Sequence, residues 1–253
     1  MSILDGYPKI RRELPEEYQR IYKTHYFENR SGSTRAAAAS GWFESWMHRR
    51  VAEDVGTTGG TDTLEIGGGT LNHLPYEPSS RPYDVVEPMS FLYESSEQRS
   101  SVRQFYTSIH DVPDGARYNR VISIATFEHI CDLPNVVARC GLLLREGGDL
   151  RVAIPSEGSW VFHLGWRVTT GLEFRLRYGL DYNQIMQSEH VSTSDEIEAV
   201  LRWFFGETTI ACCGLSRKLS LYQFFQCTQP NTYLCEDYIR RTNSDCEEKS
   251  RLV

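Results

Sequence analysis

The sequence has no apolar run approaching the roughly 20 residues of a membrane-spanning helix, no cysteine pair in C-x-x-C spacing, no internal repeat and no excess of positive charge. Each absence removes a class of function. No membrane span is expected, and residues 1–12 mix charges with Pro and Gly, unlike a signal peptide. The seven cysteines are odd in number and lack zinc-type spacing, so reduced thiols in a cytoplasmic protein are expected, and no metal. A formal net charge of -7 supplies no broad positive field for a phosphate backbone, which counts against nucleic acid as a partner. What is present is an ordinary globular composition, 40% hydrophobic and 24% charged over 253 residues, with ample length for a buried core.

Apolar periodicity organises the chain. Leu14, Tyr18, Ile21, Tyr22 and Tyr26 recur at helical spacing, and Trp42, Phe43, Trp46, Met47 and Val51 form the stripe of a second helix over 34–53. Residues 1–54 therefore read as an N-terminal helical lid. Between 63 and 154, β-rich runs at 63–66, 83–87, 103–108, 120–125 and 149–154 alternate with helical patterns at 89–97 and 134–145. The second helix is expected to stop at Glu146-Gly147-Gly148. Residues 156–205 break the alternation and read as an inserted helical cover that includes a helix at 194–205. Runs at 208–216 and 221–227 predict a closing hairpin. The expected fold is α/β, a Rossmann-like doubly wound seven-stranded sheet with a terminal antiparallel hairpin over 55–229. Residues 230–253 are expected to form a polar, partly disordered tail.

The sharpest chemical feature is the run Thr63-Leu64-Glu65-Ile66-Gly67-Gly68-Gly69-Thr70, a strand entering three glycines ahead of an expected helix. Glycine there lets the backbone turn tightly and lets a ligand approach main-chain N–H groups. The next strand ends in Glu87-Pro88, and a carboxylate at a strand tip can accept hydrogen bonds from both hydroxyls of a ribose. A nicotinamide dinucleotide would need G-x-G-x-x-G, but the last position is Asn72.

With those residues in view, the region 62–229 resembles the class I S-adenosylmethionine-dependent methyltransferases. Glu65 through Gly69 resembles the family's acidic residue and G-x-G motif, which implies contact of Glu65, Gly67, Gly68 and Gly69 with the methionine part of S-adenosyl-L-methionine. Glu87 matches the ribose-binding acid. The run 121–130 resembles the fourth strand and its following Leu-Glu-His turn, placing Ala125 and Thr126 beside the cofactor. The third glycine of the motif is replaced by Leu71, which is expected to turn inward and pack. The adenine position falls on Ser108 and Ile109, with Asp111 the rival placement.

Methyl transfer to a hydroxyl is helped by a base. His163, Glu189, His190 and His129 are the candidates, each with packing or a polar loop as the alternative role. Tyr22, His25, Tyr26 and Arg30 are candidate acceptor contacts, against simple helix packing. A fainter resemblance to methyltransferases of bacterial glycan and polysaccharide biosynthesis implies O-methylation of a sugar or nucleotide-sugar. The competing expectations are a cofactor-binding interaction module without turnover, and a protein or RNA methyltransferase. Oligomeric state is not encoded in these patterns.

Overall fold

The computed structural model describes residues 3–21, 44–53, 62–78, 81–156 and 171–251, with side chains of the last helix described through residue 243. One seven-stranded sheet runs in the order β3-β2-β1-β4-β5-β7-β6. Its strands are β1 Thr63–Ile66, β2 Tyr83–Val86, β3 Gln104–Tyr106, β4 Tyr118–Ile124, β5 Leu144–Pro155, β6 Phe205–Gly214 and β7 Ser220–Pro230. The first five pair in parallel, and β7 pairs antiparallel with both β5 and β6. This is the expected doubly wound sheet with a terminal hairpin.

β1 and β2 are buried at every position, as strands covered on both faces must be, with the polar Thr63, Glu65 and Asp84 buried among apolar neighbours. Leu64, Val121, Leu150, Val152 and Phe225 are fully buried in a core beneath helix α1, Leu133–Leu143. On the opposite face Leu71, Val85, Ile122 and Ala153 pack with Met47 and Val51 of the helical stretch 44–51. Each such side chain, fully buried, stabilises by about 1.5–3 kcal/mol relative to exposure.

Several local expectations give way to different backbone. No helix follows the glycine turn: Pro75 lies just ahead, and the chain makes only a 3-10 turn at Leu74–Tyr76. The helix expected over 89–97 is instead two 3-10 turns, Ser90–Leu92 and Glu97–Ser101. Serine is the reason at the second turn, where the Ser96 side chain accepts from the Gln98 N–H rather than extending a helix. Helix α1 ends before its expected glycine cap. Leu144 is already extended, and Gly147, at φ 75°, bends β5.

The cover contributes α2 Leu172–Tyr178, α3 Asn183–Glu189 and α4 Ser194–Phe204. Helix α4 starts in a capping box in which the Thr193 hydroxyl accepts from the Glu196 N–H and the Glu196 carboxylate accepts from the Thr193 N–H. In place of a disordered tail, α5, Thr232–Arg251, docks on α1 through Cys235, Leu234 and Tyr238. Gly141 permits that approach, since a Cβ there would lie 3.0 Å from the Cys235 Sγ. The six cysteines with described side chains are all free thiols.

At the end of the sheet where β1 and β4 begin, Arg120 donates from both terminal nitrogens to the Glu77 carboxylate, at 2.9 and 3.0 Å, and from one of them to the Val51 carbonyl. His73 Nε2 donates to the same carboxylate at 2.9 Å, and the His73 and His48 Nδ1 atoms lie 3.1 Å apart. Burial, with His73 alongside, lowers the His48 imidazole from 6.5 to about 3. Against the burial that would raise it, hydrogen bonds from His73 and Arg120 hold the Glu77 carboxyl at about 2, down from 4.5. Both folded values lie below their unfolded ones, so both groups stabilise the fold above the unfolded value and lose that contribution as pH falls. The His48 contribution goes first, between 6.5 and 3, followed by that of Glu77 between 4.5 and 2. Thermal midpoints measured from pH 7.5 downward should therefore begin to fall at mildly acidic pH, before carboxylates titrate. His48→Asn should flatten that first decline.

Candidate active site

The order of strands reverses between β1 and β4, and in open α/β sheets the crevice beyond the carboxyl ends at such a point is the place where ligands bind. A cavity of about 480 Å³ lies there. It is lined by Ile66, Gly67 and Gly69 at the end of β1, Val86 and Glu87 at the end of β2, Ser108 to His110 after β3, and Ala125 and Thr126 after β4. Arg11, His129 and Glu189 line it as well.

The glycine turn meets the cavity with left-handed backbone, φ 77° at Gly67 and 51° at Gly69, conformations that glycine adopts without Cβ strain. A Cβ on Gly67 would sit 2.2 Å from the Thr126 Oγ1, so this turn and the β4 turn are fitted to each other. Leu71 also has positive φ, 64°, and its side chain is fully buried, as expected for a residue turned inward. Ala125 stands at φ 49°, a strained value for a residue with a Cβ. Its N–H donates to the Ala153 carbonyl at 2.8 Å and holds the bend at the tip of β4.

Glu87, 5% exposed, accepts from the Gly69 N–H through Oε2 and from the Met89 N–H through Oε1, each at 2.9 Å. Those two bonds fix the carboxylate plane and leave each oxygen a second lone pair. Ser108 and Ile109 line the cavity, whereas Asp111 caps the turn, its carboxylate accepting from the Ser108 N–H at 2.8 Å. Pro88, Ala125 and Thr126 also line the cavity. Glu65 and Gly68 are not among its lining residues. The buried Glu65 carboxylate accepts from the Tyr83 hydroxyl at 2.8 Å, and burial pushes its carboxyl upward.

The acceptor-side candidates converge. His129 and Glu189 line the cavity, and the His190 ring meets the His129 ring edge-on at 4.8 Å between centroids. Two main-chain bonds tie the segments together, from the Val191 and Ser192 N–H groups to the Glu128 carbonyl. His163, Tyr22, His25, Tyr26 and Arg30 lie outside the described residues.

His110 and Arg11 are cavity residues that the sequence reading passed over. His110 directly follows Ser108 and Ile109, the expected adenine contacts, so its neighbours were a usable signal. Arg11 had none, because it precedes the first helix and reaches the site only through tertiary contacts. Its guanidinium donates to the Glu189 Oε1 at 2.9 Å and to the His129 carbonyl at 2.8 Å. Lys9 bonds the Val191 carbonyl and Glu196, and the Ser188 hydroxyl donates to the Arg12 carbonyl, so residues 9–12 run as a strap across this wall.

No family model and no curated protein sequence matches the chain. Solved structures do. A possible histamine N-methyltransferase from Thermotoga maritima aligns with a TM-score of 0.52 at 15% identity, over 84% of this chain and 94% of that one. The N-methyltransferase NodS from Bradyrhizobium japonicum WM9, solved with S-adenosyl-l-homocysteine, gives 0.55 at 13% identity over 86% and 100%. The plantazolicin methyltransferase BpumL, solved with a monoazolic desmethylPZN analog and SAH, gives 0.57 at 12% over 85% and 91%. At these identities the likeness is one of architecture: the chain has the fold of the class I S-adenosylmethionine-dependent methyltransferases.

Proposed function

We propose that this chain is an S-adenosylmethionine-dependent methyltransferase that O-methylates a small polar acceptor such as a sugar or nucleotide-sugar. The observation that carries the reading is the position of Glu87, a buried carboxylate pinned by the Gly69 and Met89 N–H groups at the tip of β2, beside the left-handed glycine turn. The residues fit the cofactor: Glu87 keeps lone pairs for two ribose hydroxyls, Ser108 and Ile109 flank the adenine side, and Gly67 with Ala125 and Thr126 forms the methionine end. Bound there, S-adenosylmethionine supplies a methyl group on a positively charged sulfur.

The chain's own part is to orient the acceptor and remove its proton. Positioning supplies much of the rate in such a displacement. Arg11, His129 and Glu189 offer hydrogen bonds from the side of the cavity next to Thr126. With the methyl group supplied by the bound cofactor, the Glu189–His129 pair would take the proton that the acceptor hydroxyl gives up. A cavity of about 480 Å³ lies within the ~300–1,000 Å³ range of small-molecule sites. That volume suits the cofactor itself, and the polar strap along the remaining wall favours a small acceptor over a protein or RNA.

Calorimetry with S-adenosylhomocysteine tests the cofactor assignment. The wild type should bind saturably, and Glu87→Ala should weaken binding at least about tenfold, the ~1.4 kcal/mol expected for losing charge-assisted hydrogen bonds. No binding by the wild type refutes the assignment. Incubating cell extracts with isotope-labelled methyl donor then identifies the acceptor; binding without any labelled product would point to an interaction module.

A further inference from the structure

We propose that Glu128, His129 and His190 form a divalent-cation site on the acceptor side of the cavity, of the imidazole-rich class that takes Zn²⁺, Mn²⁺, Fe²⁺ or Co²⁺. One donor atom from each lies within 4.8 Å of the others. Metal–ligand bonds of about 2.0–2.2 Å require donors roughly 3–4 Å apart, so small side-chain rotations close the set. Two imidazoles and one carboxylate select borderline transition metals over Mg²⁺ or Ca²⁺, and leave coordination positions open for a substrate oxygen.

The orientation of His129 is the observation that turns a cluster into a site. Its Nδ1 lies 3.0 Å from the Glu189 carbonyl oxygen, which can only accept, so Nδ1 carries the proton. In the neutral ring the lone pair is then on Nε2, the nitrogen that lies 3.8 Å from the Glu128 carboxylate. A ring N–H held by a carbonyl while the other nitrogen presents its lone pair is the usual support of a metal-bound histidine. Glu128 is 1% exposed, and a carboxylate so desolvated favours a nearby positive charge. The Glu128 carbonyl, bonded by the Val191 and Ser192 N–H groups, keeps the His190 segment in register with Glu128. Among the described residues, charged groups beside the cluster include Glu189, with Oε2 3.7 Å from His129 Nδ1, and Arg11, which pairs with Glu189.

The role assigned to the cation rests on the methyltransferase reading, but its binding does not. An alcohol ionises near the pKa of water, far above the range of a carboxylate or an imidazole. A bound dication lowers such values by many units, as it does for water, from 15.7 to about 7. With Nε2 of His129 on the cation, the acceptor proton goes to Glu189. An acceptor bearing adjacent hydroxyls could occupy two open positions, and that would favour sugars.

Titrating chelator-stripped protein with Co²⁺ and following visible absorption tests the site. The wild type should take up a single equivalent with bands of a nitrogen-ligated ion. His190→Gln and Glu128→Gln should each weaken uptake by about 100-fold, at or beyond the ~10–100-fold typical of lost supporting contacts. S-adenosylhomocysteine affinity and the circular dichroism spectrum, measured on the same samples, report folding. Uptake no greater than that of a double variant, or folded single variants that bind Co²⁺ like the wild type, overturns the proposal. Loss of S-adenosylhomocysteine binding in the wild type would instead refute the methyltransferase reading and leave the Co²⁺ result standing.

Discussion

Gly67→Ala should lower S-adenosylhomocysteine affinity by about 100-fold or more, the equivalent of ~2.7 kcal/mol. Two separate penalties combine. The residue holds φ 77°, where an L side chain costs about 1–2 kcal/mol. The new Cβ would also lie 2.2 Å from the Oγ1, 2.4 Å from the Cγ2 and 2.8 Å from the Cβ of Thr126, so the β4 turn must move. Thr126 is not free to rotate at no cost, since its hydroxyl donates to the Ile124 carbonyl at 3.1 Å. The double variant Gly67→Ala/Thr126→Gly separates the two. It removes the collision and retains the torsional strain, so calorimetry should show partial recovery. Recovery to wild-type affinity would mean that the left-handed torsion is unimportant, and no recovery would mean that it dominates.

The second large effect is one of stability. Glu77→Ala leaves the Arg120 guanidinium, 3% exposed, with the Val51 carbonyl and a 3.5 Å contact to the Thr63 hydroxyl. Removing one partner of a buried pair costs about 3–5 kcal/mol. At about 2–4 °C per kcal/mol for a chain of this size, the thermal midpoint should fall by roughly 6–20 °C. Glu77→Leu/Arg120→Met should regain most of the loss, because an apolar pair of similar volume avoids the stranded charge. The network sits where β1 and β4 begin, at the opposite end of the strands from the cavity, so S-adenosylhomocysteine affinity should be unchanged in the double variant.

The contrast between these two sites explains which parts of the molecule could be read from sequence. β1 and β2 announce themselves as short β-rich runs, and their tips carry Gly67 and Glu87 in the same local stretch. A site built on strand ends inherits that legibility. Glu77 and Arg120 are 43 residues apart and meet only through the fold, as Arg11 meets Glu189 across 178. The region 89–101 misleads because its apolar spacing suits a helix while Ser96 bonds locally to the Gln98 N–H. Helix α5 escapes notice because its sequence is polar overall, and the few residues that dock, Leu234, Cys235 and Tyr238, count only once α1 is there to receive them.

The strap formed by Lys9, Arg11 and Arg12 bears on how this protein can be exchanged with relatives of the same architecture. On the proposed reading the cofactor half of the cavity is encoded in consecutive strand ends and can travel as one block. On the same reading the acceptor half is split between residues 9–12 and the stretches 128–130 and 187–196, joined by the Arg11–Glu189, Arg12–Gln187 and Lys9–Glu196 contacts. A chimera that swaps only the later segment inherits a wall whose other half was shaped for a different acceptor, and a transfer of specificity has to carry both.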